Sequence, residues 1–225
     1  HGRGRQTDTM NTLIITGGAI EEAFAGDYLR KNKFGYIIAA DKGLVFCREM
    51  GIRPDLIVGD FDSADKGALE YYRERFPERI LRFRPEKDET DTEIALTKAL
   101  ENTEGSITIL GGTGTRLDHV LGNIQLLKKA ADAGRECFLA DSHNRIRLIW
   151  KYCSIRKKEQ FGSYVSLIPF TPKVKGVTLK GFKYPLTDYT LLSGRAIGVS
   201  NEITGETGEI SFSEGLLLVI ESRDE

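Results

Sequence analysis

Apolar residues follow two regimes along this chain. In the first, short runs rich in Ile, Leu and Val at 12–16, 36–40, 55–58, 79–83, 106–110 and 136–140 alternate with stretches of helical spacing. Several runs are apolar throughout, as strands covered on both faces of a sheet must be. Helices are predicted at 42–50, stopping at Gly51, and at 65–76, stopping at Pro77. Another at 120–133 puts Val120, Ile124, Leu127 and Ala131 on one face and stops at Gly134. A further helix begins after Thr90, because Thr90-Asp91-Thr92-Glu93 has the spacing of a capping box. Asp91 then falls in the first helical turn, at the positive end of the helix dipole.

The pattern changes near 142–147. Beyond it no helical spacing recurs, and 146–150, 163–170, 174–179, 195–203, 209–213 and 216–221 read as short strands between Gly- and Pro-bearing turns. Residues 157–160 read as a solvated hairpin tip. The expected fold is a mostly parallel, Rossmann-like α/β domain over 10–143, followed by an all-β sandwich domain over 144–225.

Composition narrows the class. The chain has 225 residues and a formal net charge of −1, so no excess of charge draws it to nucleic acid or an anionic membrane. No apolar run nears the roughly 20 residues of a membrane span. The first apolar stretch comes only after Met10, so Met10 reads as a start and residues 1–9 as a leading tail. Cys47, Cys137 and Cys153 form no CxxC pair and read as buried thiols of a cytoplasmic protein. His119 and His143 have no partner at zinc-ligand spacing.

Candidate chemistry gathers where the strands end. Residues 36–40 run into Asp41-Lys42-Gly43, and 56–58 into Gly59-Asp60-Phe61-Asp62-Ser63. The run 80–83 leads to Asp88-Glu89-Thr90-Asp91, and 107–110 to Gly111-Gly112-Thr113-Gly114-Thr115-Arg116-Leu117-Asp118. In a parallel sheet these turns share the carboxyl edge, where open α/β folds bind ligands. If the Asp60-Phe61-Asp62 segment is extended, its two carboxylates face the same way and can converge on a hard cation. The glycine-rich turn before a helix suits phosphate, with Arg116 as a fork and Asp118 as a ligand or base. Gly17-Gly18 after the first run is a second turn of that kind. Each feature also has an ordinary structural reading: Asp41 as a helix cap, the Asp60–Asp62 pair as solvated turn residues, the glycines as a tight strand-to-helix turn.

Taken together and in this order, Ala40-Asp41-Lys42-Gly43, the segment 54–63, Asp88-Glu89-Thr90-Asp91, the segment 111–119 and Ile197-Gly198-Val199-Ser200-Asn201 resemble the thiamine pyrophosphokinase family over nearly the whole chain. The resemblance implies transfer of a pyrophosphoryl group from ATP to the hydroxyl of thiamine, giving thiamine diphosphate and AMP, with Mg2+. It implies a homodimer whose thiamine site lies at the subunit interface, between the α/β domain of one subunit and the sandwich of the other. By the same resemblance Asp41, Asp60, Asp62 and Asp91 hold the metal, and Asp60, Asp62, Asp91 and Asp118 are the catalytic acids. Gly17, Gly18, Asp41, Lys42, Gly43, Gly111, Gly112, Thr113, Gly114, Thr115 and Arg116 bind ATP. Lys87, Asp88, Asp91, Asp118, Tyr184, Ser200 and Asn201 bind thiamine. Some relatives place a stacking tryptophan where Tyr184 is offered here, and Lys87 stands where others have Gln.

Two rival readings remain at this point. Ile57-Val58-Gly59-Asp60-Phe61-Asp62 resembles the nucleophile strand of haloacid-dehalogenase-type phosphatases, with Asp60 as nucleophile. Those enzymes expect Thr or Val two residues after the second acid, where this chain has Ala64, and they carry the motif on the first strand. The other rival is a non-catalytic nucleotide- or thiamine-binding protein.

Overall fold

The computed structural model describes residues 10–61, 66–82, 88–114 and 116–225. It divides into two compact units, with the boundary between Leu126 and Leu127. Of the residues singled out above, Asp62, Ser63, Ala64, Lys87 and Thr115 lie outside the described residues, as do 1–9.

The first unit alternates β1 (Thr12–Ile15), α1 (Glu22–Lys31), β2 (Tyr36–Ala40), α2 (Gly43–Glu49), β3 (Leu56–Gly59), α3 (Lys66–Arg75), β4 (Ile80–Arg82), α4 (Asp91–Asn102) and β5 (Ile107–Leu110). A further helix, α5 (Leu117–Asp132), starts in this unit and ends in the next. The strands stand in the order β4-β3-β2-β1-β5, and every pair is parallel. Leu13, Ile14, Ile15, Ile107, Ile109 and Leu110 are fully buried at its centre, and the one polar residue of each strand, Thr12 in β1 and Thr108 in β5, is buried with them, as strands covered on both faces require. Strand order reverses between β1 and β5, so the crevice at their carboxyl ends is the topological switch point.

The second unit holds β6 (Cys137–Ala140), β7 (Asn144–Ile149), β8 (Cys153–Arg156), β9 (Tyr164–Pro169), β10 (Lys173–Lys180), β11 (Leu186–Leu192), β12 (Thr207–Ser211) and β13 (Leu217–Ser222). Antiparallel strands in the order β6-β7-β13-β9 face a second antiparallel sheet, β11-β10-β12-β8. Between them Ile155, Val165, Leu167, Val174, Val177, Leu179, Leu191, Ile210, Leu217 and Val219 form one apolar core. This is the expected sandwich.

Four local expectations are corrected. Helix α1 was not foreseen: Gly26 interrupts it, no side chain caps it, and Ala25 alone of its residues is buried. Helix α5 begins at Leu117, three residues before the expected start, which brings Asp118 into its first turn. Residues 195–203 do not form a strand; they run through turns, with isolated bridges Val165↔Asn201 and Phe182↔Ile203. Their apolar residues answer to that path: Ile203 is buried, while Ile197 and Val199 are exposed. Strands β8 and β11 fill the second sheet instead. β11 is mostly exposed and is interrupted at Asp188 (φ 48°), so it lacks the clean apolar alternation that marks a strand.

Candidate active site

The loops after β1 and β5 form one backbone-packed structure at the switch point. The Thr16 N–H donates to the Leu110 carbonyl at 2.9 Å, and Gly18 N–H donates to the Gly111 carbonyl at 2.8 Å. A β-carbon on Gly18 would strike the Gly111 carbonyl oxygen, and one on Gly111 would strike that of Thr16. Gly111 also takes a left-handed φ of 78°. Glycine is therefore required twice where the two chains cross. Asn123, in the second turn of α5, donates from Nδ2 to the Gly112 carbonyl at 2.7 Å and pins the loop from the helix side. This residue was missed in the sequence. Its signal was a polar side chain beside the apolar face of Val120, Ile124 and Leu127.

Asp41 ends β2 with a left-handed φ of 52°, a conformation that Asp tolerates better than most residues. Its backbone N–H donates to the Val58 carbonyl at 3.2 Å, and its own carbonyl accepts from the Leu44 N–H at 3.2 Å. No side chain caps α2, so the carboxylate is not the N-cap that its position allowed. It faces the β1 loop instead: a β-carbon on Gly17 would lie 3.1 Å from Asp41 Oδ2 and 3.3 Å from Lys42 Cβ. Gly43 is buried, and a β-carbon there would strike the Ile15 carbonyl, so this glycine serves the packing of α2 on β1.

Asp91 opens α4. Thr90 Oγ1 accepts from the Glu93 N–H at 3.1 Å, as the capping-box spacing predicted. The hydroxyls of Thr16 and Thr92 meet at 2.7 Å in a buried contact, which fixes the start of α4 to the end of β1. A β-carbon on Gly59 would lie 3.3 Å from Asp91 Oδ2. Asp91 thus stands beside the end of β3, next to Asp60. The chain turns sharply at Phe61 (φ 65°), so the extended geometry assumed for Asp60-Phe61-Asp62 does not hold at its central residue.

Charge confirms the grouping. The Asp41 carboxyl is held above its usual range, first by burial and then by the negative charge of Asp91; the opposing pull of Lys42 comes next in size, ahead of a further push from Asp60. Among the described residues no three acidic, His or Cys side chains are placed to hold a metal ion by themselves.

Arg116 and Asp118 form an exposed pair. Arg116 Nε donates to Asp118 Oδ1 at 3.1 Å and Nη2 donates to Oδ2. The His119 N–H also donates to Asp118 Oδ1, at 2.9 Å. The Arg116 hydrogen bond holds Asp118 below the usual carboxylate range, and the pairing raises Arg116 in turn. Asp88 is exposed, two residues before the cap.

The remaining singled-out residues lie in the second unit. Asn201 is buried and its side chain is spent on the backbone: Oδ1 accepts from the Tyr184 and Glu202 N–H groups at 3.0 and 2.9 Å, and Nδ2 donates to the Tyr184 carbonyl at 2.9 Å. Ser200 has a left-handed φ of 60°, and its N–H donates to Ser166 Oγ at 3.0 Å. The Tyr184 ring is 59% exposed, with Lys183 Nζ 5.5 Å from its centroid and 2.9 Å from Glu202. Asn201 therefore positions the Tyr184 backbone from both ends of its amide.

Comparison with known proteins accounts for both units. The family model described as "Thiamin pyrophosphokinase, catalytic domain" matches residues 28–139, and "Thiamin pyrophosphokinase, vitamin B1 binding domain" matches 152–217. The chain belongs to the thiamin pyrophosphokinase family. It is 37% identical over 187 residues to "Thiamine pyrophosphokinase" of Bacillus subtilis, covering 83% of this chain and 87% of that one. A solved structure of thiamine pyrophosphokinase from Bacillus subtilis superposes with a TM-score of 0.86 at 35% identity, covering 96% of this chain and 100% of the other. One from Geobacillus thermodenitrificans gives 0.83 at 34%, with coverage of 96% and 99%. The chain is thus a transferase of the kinase class, and neither the phosphatase reading nor the non-catalytic one finds support in these likenesses. Among the described residues no helix is long and apolar enough to cross a membrane.

Proposed function

We propose that this chain transfers the pyrophosphoryl group of ATP to the hydroxyl of thiamine, releasing AMP. The observation that carries the reading is the meeting of Asp41, Asp60 and Asp91 beside the crossed glycine loops at the β1/β5 switch point. The backbone N–H of Gly17 and those of the 111–114 turn, with Lys42 and Arg116, are the phosphate-binding elements of this reading, while Gly18 holds the turn by its bond to Gly111.

The acidic group fits magnesium by donor chemistry. Hard carboxylate oxygens, with burial and then the charge of Asp91 already raising Asp41, favour a small divalent cation that takes one or two carboxylates and completes its shell with water and substrate phosphates. Asp41, Asp60 and Asp91 would hold the ion, with Asp62 joining by family resemblance. When bound, it neutralises charge on the triphosphate oxygens.

The chain's own residues then orient the reaction. The thiamine alcohol attacks the β-phosphorus of ATP in line with departing AMP, and most of the acceleration comes from positioning and charge compensation. Asp91 is the better placed base of the two acids considered, since Asp118 is committed to Arg116 and holds a proton less readily than an ordinary carboxylate. Arg116 exchanges Asp118 for a phosphate oxygen when ATP enters. The acidic edge also suits the cationic thiazolium ring.

Residues 10–143 serve as the catalytic part, and 144–225 supply thiamine contacts and dimer contacts, with Lys87, Asp88, Tyr184, Ser200 and Asn201 on the thiamine side. The family resemblance supports a homodimer with thiamine at the subunit interface. Three buried free thiols favour the cytoplasm. The test is AMP release from ATP and magnesium on adding thiamine. AMP in step with thiamine diphosphate supports the reading; ATP hydrolysis indifferent to thiamine overturns it.

A further inference from the structure

The second unit contains a cavity of about 270 Å³ whose lining includes Glu136, Arg147, Trp150, Lys151, Tyr152 and Cys153. None of these residues belongs to the strand-end site. Among the described residues only two buried side-chain polar atoms lack a hydrogen-bond partner, and one of them is Arg147 Nε. Arg147 extends from β7 on the same strand face as Ile149, and its side chain is only 12% exposed. Its guanidinium carbon lies 5.5 Å from the Phe138 ring centroid, so an aromatic ring supports it. Its nearest carboxylate is Glu136 Oε1, 3.9 Å from Nη1, at the outer limit of an ion pair and on a largely exposed side chain.

A buried guanidinium donor without an acceptor is an exception that calls for a ligand or an ordered water. The planar fork of arginine matches the paired oxygens of a carboxylate or phosphate. Lys151 adds a second cation, with Nζ 5.8 Å from the Trp150 ring centroid. The Tyr152 hydroxyl donates to Glu209 at 2.8 Å, which engages that carboxylate with the tyrosine. The charged lining is then two cations against Glu136.

We propose that this cavity binds a small oxyanion, gripped by Arg147 and flanked by Lys151, with any ring of the ligand against Trp150. The volume lies just below the usual small-molecule range of roughly 300–1,000 Å³, which limits the ligand to a free phosphate or a single-ring acid.

Trp150 is the sole tryptophan of the chain, so its fluorescence reports on this cavity alone. The intact chain is titrated separately with sodium phosphate and sodium benzoate, with sodium chloride holding ionic strength constant. A saturable change with either anion is expected, and the one that saturates names the oxyanion. Arg147→Met is expected to raise the half-saturation concentration by about tenfold or more, the scale of one lost charge-assisted hydrogen bond. Lys151→Ala, at an exposed position, is expected to raise it by about threefold and keeps the test valid if Arg147→Met fails to fold. A linear response to both anions, or unchanged half-saturation in both variants, overturns the site.

Discussion

The Thr16 and Thr92 hydroxyls approach to 2.7 Å in a buried contact between the end of β1 and the first turn of α4. One hydroxyl lies next to the Gly17-Gly18 turn, the other next to Asp91. This hydrogen bond fixes the spacing between the phosphate loop and the acidic group. Thr92→Val keeps the shape and leaves the Thr16 hydroxyl without that partner, at a cost of about 1–3 kcal/mol. Urea unfolding should show that loss together with reduced turnover. Wild-type stability would remove the pair from this role.

Removing charge from the acidic group separates stability from activity. The Asp41 carboxyl is raised in the folded state, so folding favours its protonated form. Deprotonation therefore weakens the fold as pH rises out of the ordinary carboxylate range. Asp41→Asn abolishes that penalty and tolerates the left-handed backbone. The variant should be more stable than wild type at pH 7, with the difference vanishing at acid pH, and should lose most turnover. Thermal melts across pH decide it: a variant less stable at pH 7 contradicts the sign.

Asp91→Asn should fold normally and lose turnover by on the order of 100-fold or more, the usual range for removal of a catalytic acid or base. It should also lower the Asp41 titration, since Asp91 is among the charges that raise it. Carbon-13 NMR of the Asp41 carboxyl reads the second effect independently of activity. An unmoved Asp41 would mean that the two acids are not neighbours.

Asn201 and Tyr184 should differ in kind. Asn201→Leu removes three hydrogen bonds to backbone groups, each worth about 1 kcal/mol, and should lower stability as well as thiamine affinity. Tyr184→Ala changes an exposed ring and should raise the thiamine KM more than the ATP KM, with the melting temperature nearly unchanged. Equal thiamine KM in wild type and Tyr184→Ala would take the ring out of the pocket.

Glu221 is 1% exposed on β13, where Oε2 accepts from Arg145 Nε at 3.2 Å and Oε1 accepts from the Phe161 N–H at 3.1 Å. Glu221→Ala strands the Arg145 charge and should cost roughly 3–5 kcal/mol. Denaturant unfolding measures this directly, and a loss under about 1 kcal/mol would show that water replaces the carboxylate easily.

Much of the architecture was legible in order along the chain. The short, largely apolar runs at Leu13–Ile15 and Ile107–Leu110 read as strands covered on both faces, and the Thr90 capping box placed Asp91 correctly at the head of a helix. The illegible parts have local causes. Helix α1 has no capping side chain to mark its start and carries Gly26 within it, while strand β11 buries little of itself, so its apolar alternation is faint. Residues 195–203 carry apolar side chains that face solvent as well as the core, which mimics a strand.

The site divides along the same line. The sequence by itself determined which acids and glycines end which strands, because local pattern dictates element type and the chain order dictates the sheet's carboxyl edge. It also carried the ordered motifs that mark the family. Only the tertiary structure decided that Asp91 stands against Gly59, that Asp41 turns toward Gly17 instead of capping α2, that Phe61 breaks the extended run, and that Asn201 spends its amide on Tyr184. Those facts depend on contacts between residues far apart in the chain, and no local propensity encodes a distance across a fold.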